Sequence, residues 1–239
     1  MQYMGGKAKA GKQIAAYMGK WLFHNPGKTT YLDPFCGACH VAQYTAWMKT
    51  CILADRHPDL ILLWKALQHL GWRPPVATIS RELWEELRKA EHPSPLRAFA
   101  GFGCSFGDRF FEGYAANKRK DDFTKAALWS LLAIYKKVKK AQFFQSDYRK
   151  HKVDSTYVIY CDPPYEGTKC YTGLGKFRSA RFWQQARHWV RRGATVFVSE
   201  YNAPDDFKCV LEIKQKGTLH HKENDREFVE RLFMHEDQA

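Results

Sequence analysis

The chain has 239 residues, enough for one domain of ordinary size or for one domain with a small insertion. It carries 38 Lys and Arg against 25 Asp and Glu, and this net charge of +13 favours a polyanionic partner, either nucleic acid or an anionic membrane surface. Hydrophobic residues make up 45% and the mean hydropathy is −0.54, which excludes both a multispan membrane protein and a disordered basic tail.

No apolar run approaches the length of a bilayer span, and the basic N-terminal segment has no apolar stretch behind it, so it does not read as a secretory signal. The seven cysteines are an odd number, which favours reduced thiols in a cytoplasmic compartment. We therefore expect an intracellular protein without a membrane partner, and nucleic acid becomes the leading polyanion.

Short apolar runs that end at polar residues predict buried strands of a parallel sheet. They cover residues 30–32, 51–54, 157–161 and 195–198. Amphipathic helical patterns separate these runs: one starts at Pro58, two more cover 79–87 and 123–138, and a last one extends from a predicted Ser179 cap to Gly193. This alternation predicts an open, Rossmann-like α/β sheet, closed by an antiparallel pair at 207–213 and 228–233.

The region 71–122 breaks the alternation. It is rich in Pro, Gly and aromatic residues, and it contains no run that reads as a strand of the main sheet. We predict a core formed by 1–70 and 123–239, with 71–122 as a small, mostly helical insertion.

A loop of small residues, Asp33-Pro34-Phe35-Cys36-Gly37-Ala38-Cys39, directly follows the first predicted strand. Such a turn allows a helix to begin close to the sheet with its amides facing a ligand. Asp55 ends the next predicted strand about 20 residues later, where nucleotide-binding folds place a carboxylate that binds ribose hydroxyls. Either feature alone is more often an ordinary tight turn or a surface Asp. Together they favour a nucleoside ligand, although the loop is not an NTP-binding P-loop.

The same loop contains a C-x-x-C-H pattern, from Cys36 to His40, which is found in c-type haem attachment and in redox pairs. A zinc site would need a second ligand pair, and the sequence has no other C-x-x-C. We expect the two cysteines to be small residues that line the turn, and we expect no metal.

The sequence Asp162-Pro163-Pro164-Tyr165 follows another predicted strand. The prolines must end the strand and orient their carbonyls, so that a carboxylate, rigid acceptors and an aromatic face meet at the carboxyl edge of the sheet. This arrangement suits a planar substrate with an amino group: Asp162 and the Pro163 carbonyl would accept its hydrogen bonds, and Tyr165 would stack on its ring. The alternative is a plain turn.

The N-terminal Tyr3-Met4-Gly5-Gly6-Lys7 allows close backbone approach and supplies a cation, but such a segment by itself is more commonly a flexible basic tail. The ordered set of all four motifs resembles the DNA adenine-N6 methyltransferases of the Dam type, the D12 class. In that family an aromatic-x-G-G-K segment, an F-x-G-x-G loop, an acidic strand end and a recognition insertion precede D-P-P-Y.

The resemblance implies S-adenosylmethionine as methyl donor. The implied cofactor-binding positions are Tyr3, Gly5, Gly6, Lys7, Phe35, Cys36, Gly37, Ala38, Asp55, Asp147, Tyr148 and Asp162. It also implies that Asp162, Pro163, Pro164 and Tyr165 act on N6 of an adenine that has flipped out of the duplex. The sequence departs from the family where Cys39 replaces the second loop Gly, where Tyr3 replaces a Trp, and in its shorter insertion.

Double-stranded DNA is therefore the expected partner of a monomer or weak dimer. We predict DNA contacts by residues of the insertion, supported by basic runs at 136–140 and 149–152. The insertion residues are Ser105, Arg109, Asn117, Lys118 and Arg119. Three alternatives stay open: methylation of RNA or of cytosine N4, an inactive AdoMet- and DNA-binding regulator, and a haem or redox protein.

Overall fold

The computed structural model describes residues 6–106, 109–116, 123–165, 177–216 and 227–239. A seven-stranded sheet with the order β3-β2-β1-β4-β5-β7-β6 forms its centre. The strands are β1 Thr30–Asp33, β2 Thr50–Asp55, β3 Gln142–Gln145, β4 Tyr157–Cys161, β5 Thr195–Glu200, β6 Phe207–Lys216 and β7 Glu227–His235. The helices are α1 Gly11–His24, α2 Pro58–Leu70, α3 Arg81–Lys89, α4 Pro95–Ala98, α5 Phe123–Val138 and α6 Ser179–Arg191.

Strands β1 to β5 run parallel, whereas β7 pairs antiparallel with β5 and with β6. The chain winds from β1 outward to β2 and β3, and then crosses back to β4 and β5. The direction of winding therefore reverses between β1 and β4, which is where open α/β sheets form a ligand crevice at the carboxyl ends of their strands. The Rossmann-like α/β fold and its closing antiparallel pair are confirmed.

Both faces of the sheet are covered, because successive strand residues point to opposite sides. In β4, Val158 and Tyr160 belong to the larger core, which also takes in side chains of α1, α2 and α5. Ile159 and Cys161 belong to a second core under α6. Burial on both faces explains why the central strands read as continuous apolar runs in the sequence.

Strand β3 was not predicted. It lies at the edge of the sheet, and Phe143 is the buried residue of its four. An edge strand with one buried side chain lacks the continuous apolar run of a central strand, so the apolar pattern was too short to recognise.

The described part of the predicted insertion contributes no strand to the main sheet. It contains α3, α4, a π-helical turn at Phe99–Gly103 and a single antiparallel bridge between Ser105 and Tyr114. Phe99 and Phe102 are fully buried in the larger core, and the described part of the insertion packs against helices α2 and α5. No helix among the described residues is long and apolar enough to cross a membrane.

Two local predictions were wrong. The loop after β1 leads into a three-residue 3-10 turn, Ala42–Tyr44, and not into an α-helix. Ser179 lies inside α6 and does not cap it: the N-cap is Arg178, without a side-chain hydrogen bond. Pro58 does start α2, and Gly193 takes a left-handed conformation (φ +84°) just beyond the end of α6, as predicted.

Candidate active site

The carboxyl ends of β1, β2 and β4 bring together three carboxylates. Asp33 is the last residue of β1, Asp55 is the last residue of β2, and Asp162 follows β4 directly. They lie close enough that the charges of Asp55 and Asp162 both contribute to raising the pKa of Asp33, after the larger effect of burial. Three acidic groups at one edge of the sheet need nearby cations or donors, and the chain provides both.

Lys7 provides the cation. Its Nζ lies 2.7 Å from Oδ1 of Asp162 and 3.7 Å from Oε1 of Glu230 on β7. The three side chains have relative exposures of 6% for Lys7, 19% for Asp162 and 13% for Glu230, so this carboxylate–ammonium–carboxylate group is largely withdrawn from water. The N-terminal segment is thereby tied to the D-P-P-Y turn 155 residues later.

The electrostatics of this group follow from burial and from the two carboxylates. Burial by itself would lower the pKa of Lys7, but Asp162 and Glu230 outweigh it, and the pKa is raised. Burial raises the pKa of Asp162 to about 6, Lys7 opposes that shift, and Glu230 adds to it. At neutral pH the group therefore holds an ammonium ion beside an ionised Asp162.

Tyr165 is held in place by the same group. Its hydroxyl donates to Oε1 of Glu230 at 2.8 Å, and its ring meets Tyr201 edge-on with the ring centres 4.6 Å apart. Lys7 Nζ lies 4.7 Å from the centre of the Tyr165 ring. Tyr201 is 45% exposed, so the two tyrosines form the solvent-facing aromatic side of the turn. Pro163 is buried and Pro164 is half-buried.

The loop after β1 is fastened to Asp55. The backbone N–H of Gly37 donates to Oδ2 of Asp55 at 3.1 Å, and the N–H of His57 donates to Oδ1 at 2.8 Å. Burial raises the pKa of Asp55 to about 6, while these backbone hydrogen bonds hold the value down. Asp55 thus serves first as the acceptor that shapes the loop.

Cys39 lies in the left-handed region with φ +59°, which is uncommon for any residue but glycine, and Gly37 has φ +47°. This backbone explains physically why the resembling family has a glycine at the position of Cys39. The thiols of Cys36 and Cys39 are both buried, and burial raises their pKa, so they stay protonated at neutral pH. Among the described residues, no three His, Cys, Asp or Glu side chains converge as metal ligands.

Phe35 and Tyr148 pack together just beyond the carboxyl ends of β1 and β3. Their ring centres are 5.3 Å apart, and both rings pack against Phe182 of α6. The neighbouring Asp147 accepts two hydrogen bonds from the Arg149 guanidinium, at 2.7 and 2.8 Å, and these lower its pKa. The sequence-predicted positions Phe35, Asp55 and Tyr148 therefore lie on adjoining elements around the crevice.

The predicted DNA-contacting residues differ in how accessible the structure makes them. Ser105 is buried, and its hydroxyl accepts a hydrogen bond from Trp84 Nε1 at 3.0 Å, so it is not displayed for contact with a base as the sequence suggested. Arg109 is exposed and pairs with Glu112 at 3.1 Å. The remaining predicted positions, Asn117, Lys118 and Arg119, lie outside the described residues, as do Tyr3 and Gly5; Gly6 is described and half-buried.

Sequence reasoning missed three residues of the site: Asp33, Tyr201 and Glu230. Asp33 carried a signal, because it ends a predicted strand directly before a proline. Glu230 carried none, because it lies 65 residues after Tyr165 on a strand whose partners only the folded sheet reveals.

Solved structures with a similar chain path include a candidate methylase of Haemophilus influenzae (11% identity, TM-score 0.41, covering 93% of this chain and 88% of the other). A candidate RNA methyltransferase of Pyrococcus horikoshii has 10% identity and a TM-score of 0.42, and the match covers 94% of this chain and 82% of the other. Magnesium protoporphyrin IX methyltransferase of Synechocystis, solved with bound SAM, has 9% identity and a TM-score of 0.38, and the match covers 93% of this chain and 77% of the other. No protein of curated function matches the chain. Residues 3–96 match the model of the D12 class N6 adenine-specific DNA methyltransferases.

Proposed function

We propose that the protein is a DNA methyltransferase that transfers the methyl group of S-adenosylmethionine to N6 of a flipped-out adenine. The observation that carries the proposal is the buried Lys7–Asp162 pair at the D-P-P-Y turn, beside the crevice where the winding of the sheet reverses. The D12 class match over residues 3–96 supports it, because that segment contains Lys7, the loop after β1 and Asp55.

The crevice has the donor and acceptor groups that a sulfonium nucleoside requires. The carboxylate of Asp55 can accept from ribose hydroxyls while it keeps its two backbone hydrogen bonds, because an ionised carboxylate has about four acceptor positions. Phe35 and Tyr148 offer an aromatic wall for the adenine of the nucleoside. When bound, S-adenosylmethionine supplies the electrophilic methyl group.

The chain's own residues would act on the amino group of the target. The N6 lone pair of adenine is delocalised into the ring, so the nitrogen is a poor nucleophile. Hydrogen bonds from the two N6 protons to Asp162 and to the Pro163 carbonyl would favour a tetrahedral nitrogen and stabilise its developing positive charge. As the nitrogen–methyl bond forms, the methyl–sulfur bond would break to leave a neutral thioether, and the surplus N6 proton would pass to the Asp162 carboxylate. Tyr165, fixed by Glu230, would hold the plane of the base, and this positioning would supply much of the rate.

The test is methylation of mixed-sequence duplex DNA with labelled S-adenosylmethionine, followed by nuclease digestion and mass spectrometry of the nucleosides. We expect N6-methyladenine from the wild type and a loss of at least about a hundredfold for Asp162→Ala, in line with removal of one preorganised catalytic group. Asp237→Ala, at an exposed carboxylate near the C-terminal end of the described chain, is the control and should keep full activity. Label on cytosine, label on RNA alone, or an active Asp162→Ala variant would refute the proposal.

A further inference from the structure

One face of the molecule is strongly basic and carries exposed aromatic rings. It consists of the exposed stripe of α5, the two residues that follow this helix and residues 43–49, and we call it the basic aromatic face. Its six exposed lysines are Lys49, Lys125, Lys136, Lys137, Lys139 and Lys140. The segments 36–53 and 123–146, which form this face and its surroundings, contain no Asp or Glu. A solvated helix face normally mixes both charges, so this composition is unusual.

Two tryptophans stand out from this face. Trp47 and Trp129 are each 67% exposed. Trp47 is not loosely attached, because its Nε1 donates to the backbone oxygen of Tyr44 at 3.0 Å. Lys137 contacts the same segment: its Nζ is 4.7 Å from the centre of the Tyr44 ring and donates to Gln43 Oε1 at 3.0 Å. Large apolar rings that are left in water beside lysines call for an explanation in terms of a partner.

The part of this face formed by Trp47 and the C-terminal end of α5 is remote from the crevice. Helix α5 ends at Val138, just before β3 begins at Gln142, and Trp47 lies just before β2 begins at Thr50. Asp55 and Asp162 lie instead at the carboxyl ends of the strands. Since β2 is six residues long, Trp47 and the C-terminal end of α5 lie about 15 Å or more from the catalytic edge. The lysines that follow the end of α5, which the sequence suggested as DNA contacts, therefore lie at the opposite end of the strands from Asp162.

We propose that the basic aromatic face binds single-stranded nucleic acid, with its lysines on phosphates and unpaired bases stacked on Trp47 and Trp129. Lysines attract any polyanion, but exposed tryptophan faces among them match chains that carry both phosphates and accessible planar rings. Bases inside a duplex are already stacked on one another, so they cannot reach rings on a protein surface. The face would therefore take an unpaired strand separately from the double-stranded target at the crevice.

The test measures binding of a fluorescent 20-residue oligo(dT) by anisotropy at several salt concentrations, without methyl donor. Trp47→Ala and Trp129→Ala should each weaken binding about five- to a hundredfold, the range found when a stacking ring is removed. Lys136→Gln combined with Lys137→Gln should reduce the slope of log Kd against log salt by about 1.4, since each phosphate contact on a single strand contributes about 0.7.

The chain offers matched controls outside this face. Phe23→Ala removes a ring that is 82% exposed at the end of α1, and Lys208→Gln removes an exposed lysine on β6, at the other edge of the sheet. Both should bind oligo(dT) as the wild type does. Methylation of a short duplex should be unchanged in the two Trp variants, which separates this proposal from that of the catalytic site.

The proposal is overturned if both tryptophan variants bind oligo(dT) as tightly as the wild type. It is also overturned if the lysine pair alone matters, because that result describes phosphate attraction without stacking. Equal weakening by the two control substitutions would likewise contradict it, since binding would then be a property of overall charge and not of this face.

Discussion

Lys7→Met removes the ammonium group that lies 2.7 Å from Asp162, and it leaves the carboxylate buried beside Glu230. An opposite charge at this distance lowers the pKa of a carboxyl group by roughly 1 to 3. The pKa of Asp162, about 6 in the wild type, should rise by a similar amount in the variant. The fraction of Asp162 that is ionised at pH 7 is then about nine-tenths in the wild type and between about one half and about one hundredth in Lys7→Met.

The assay is methyl transfer from radiolabelled S-adenosylmethionine to DNA, with kcat measured from pH 5 to 9.5 at saturating donor, so that weaker donor binding does not enter. If ionised Asp162 accepts the N6 proton, the acid limb of the wild-type profile has its midpoint near pH 6. In Lys7→Met this limb should move to higher pH, with activity recovering on the alkaline side.

Glu230→Gln provides the opposite perturbation. The amide keeps an oxygen that can accept from the Tyr165 hydroxyl, but it removes the negative charge that raises the pKa of Asp162. The acid limb should therefore move to lower pH. Coincident limbs in the wild type and both variants, or shifts in the same direction, would refute the assignment of the limb to Asp162.

Two further predictions concern stability, measured by thermal unfolding. A Cβ at Gly11 would lie 2.6 Å from the backbone oxygen of His40, so Gly11→Ala should destabilise the fold by about 1–3 kcal/mol. A Cβ at Gly19 in the same helix would have no atom within 4 Å, so Gly19→Ala should stabilise the fold by about 0.5–1 kcal/mol. Equal changes in stability for the two variants would contradict the close packing of Gly11 against the loop at His40. Burial raises the pKa of Asp33, so the native state binds its proton more tightly than the unfolded state, and this carboxylate reduces stability as the pH rises above about 4. Asp33→Asn should raise the Tm at pH 8 by at least about 2 °C, with the gain disappearing near pH 3.5, and a pH-independent difference would argue against it.

The sequence by itself determined the local features whose cause is local. The central strands were recognisable because burial on both faces requires uninterrupted apolar runs. The end of β4 was recognisable because proline cannot continue a strand, and the start of α2 because proline can begin a helix. The D-P-P-Y turn and the loop before Asp55 were placed at the carboxyl edge for the same reason: a residue that directly follows a parallel strand lies at that edge.

The tertiary structure decided what depends on contacts between distant segments. Edge strand β3 has one buried residue, and Ser105 looks like a surface polar residue until Trp84 is seen to bind it. Glu230 joins Lys7 and Tyr165 only because β7 returns antiparallel beside β5. Similarly, the lysines at the end of α5 read as one more basic run. Only the packing of α5 against residues 42–44 brings Lys137 to Gln43 and Tyr44, in the segment that carries Trp47. Charge and ring content are properties of the chain, but which charges face one another is settled by packing across the sheet.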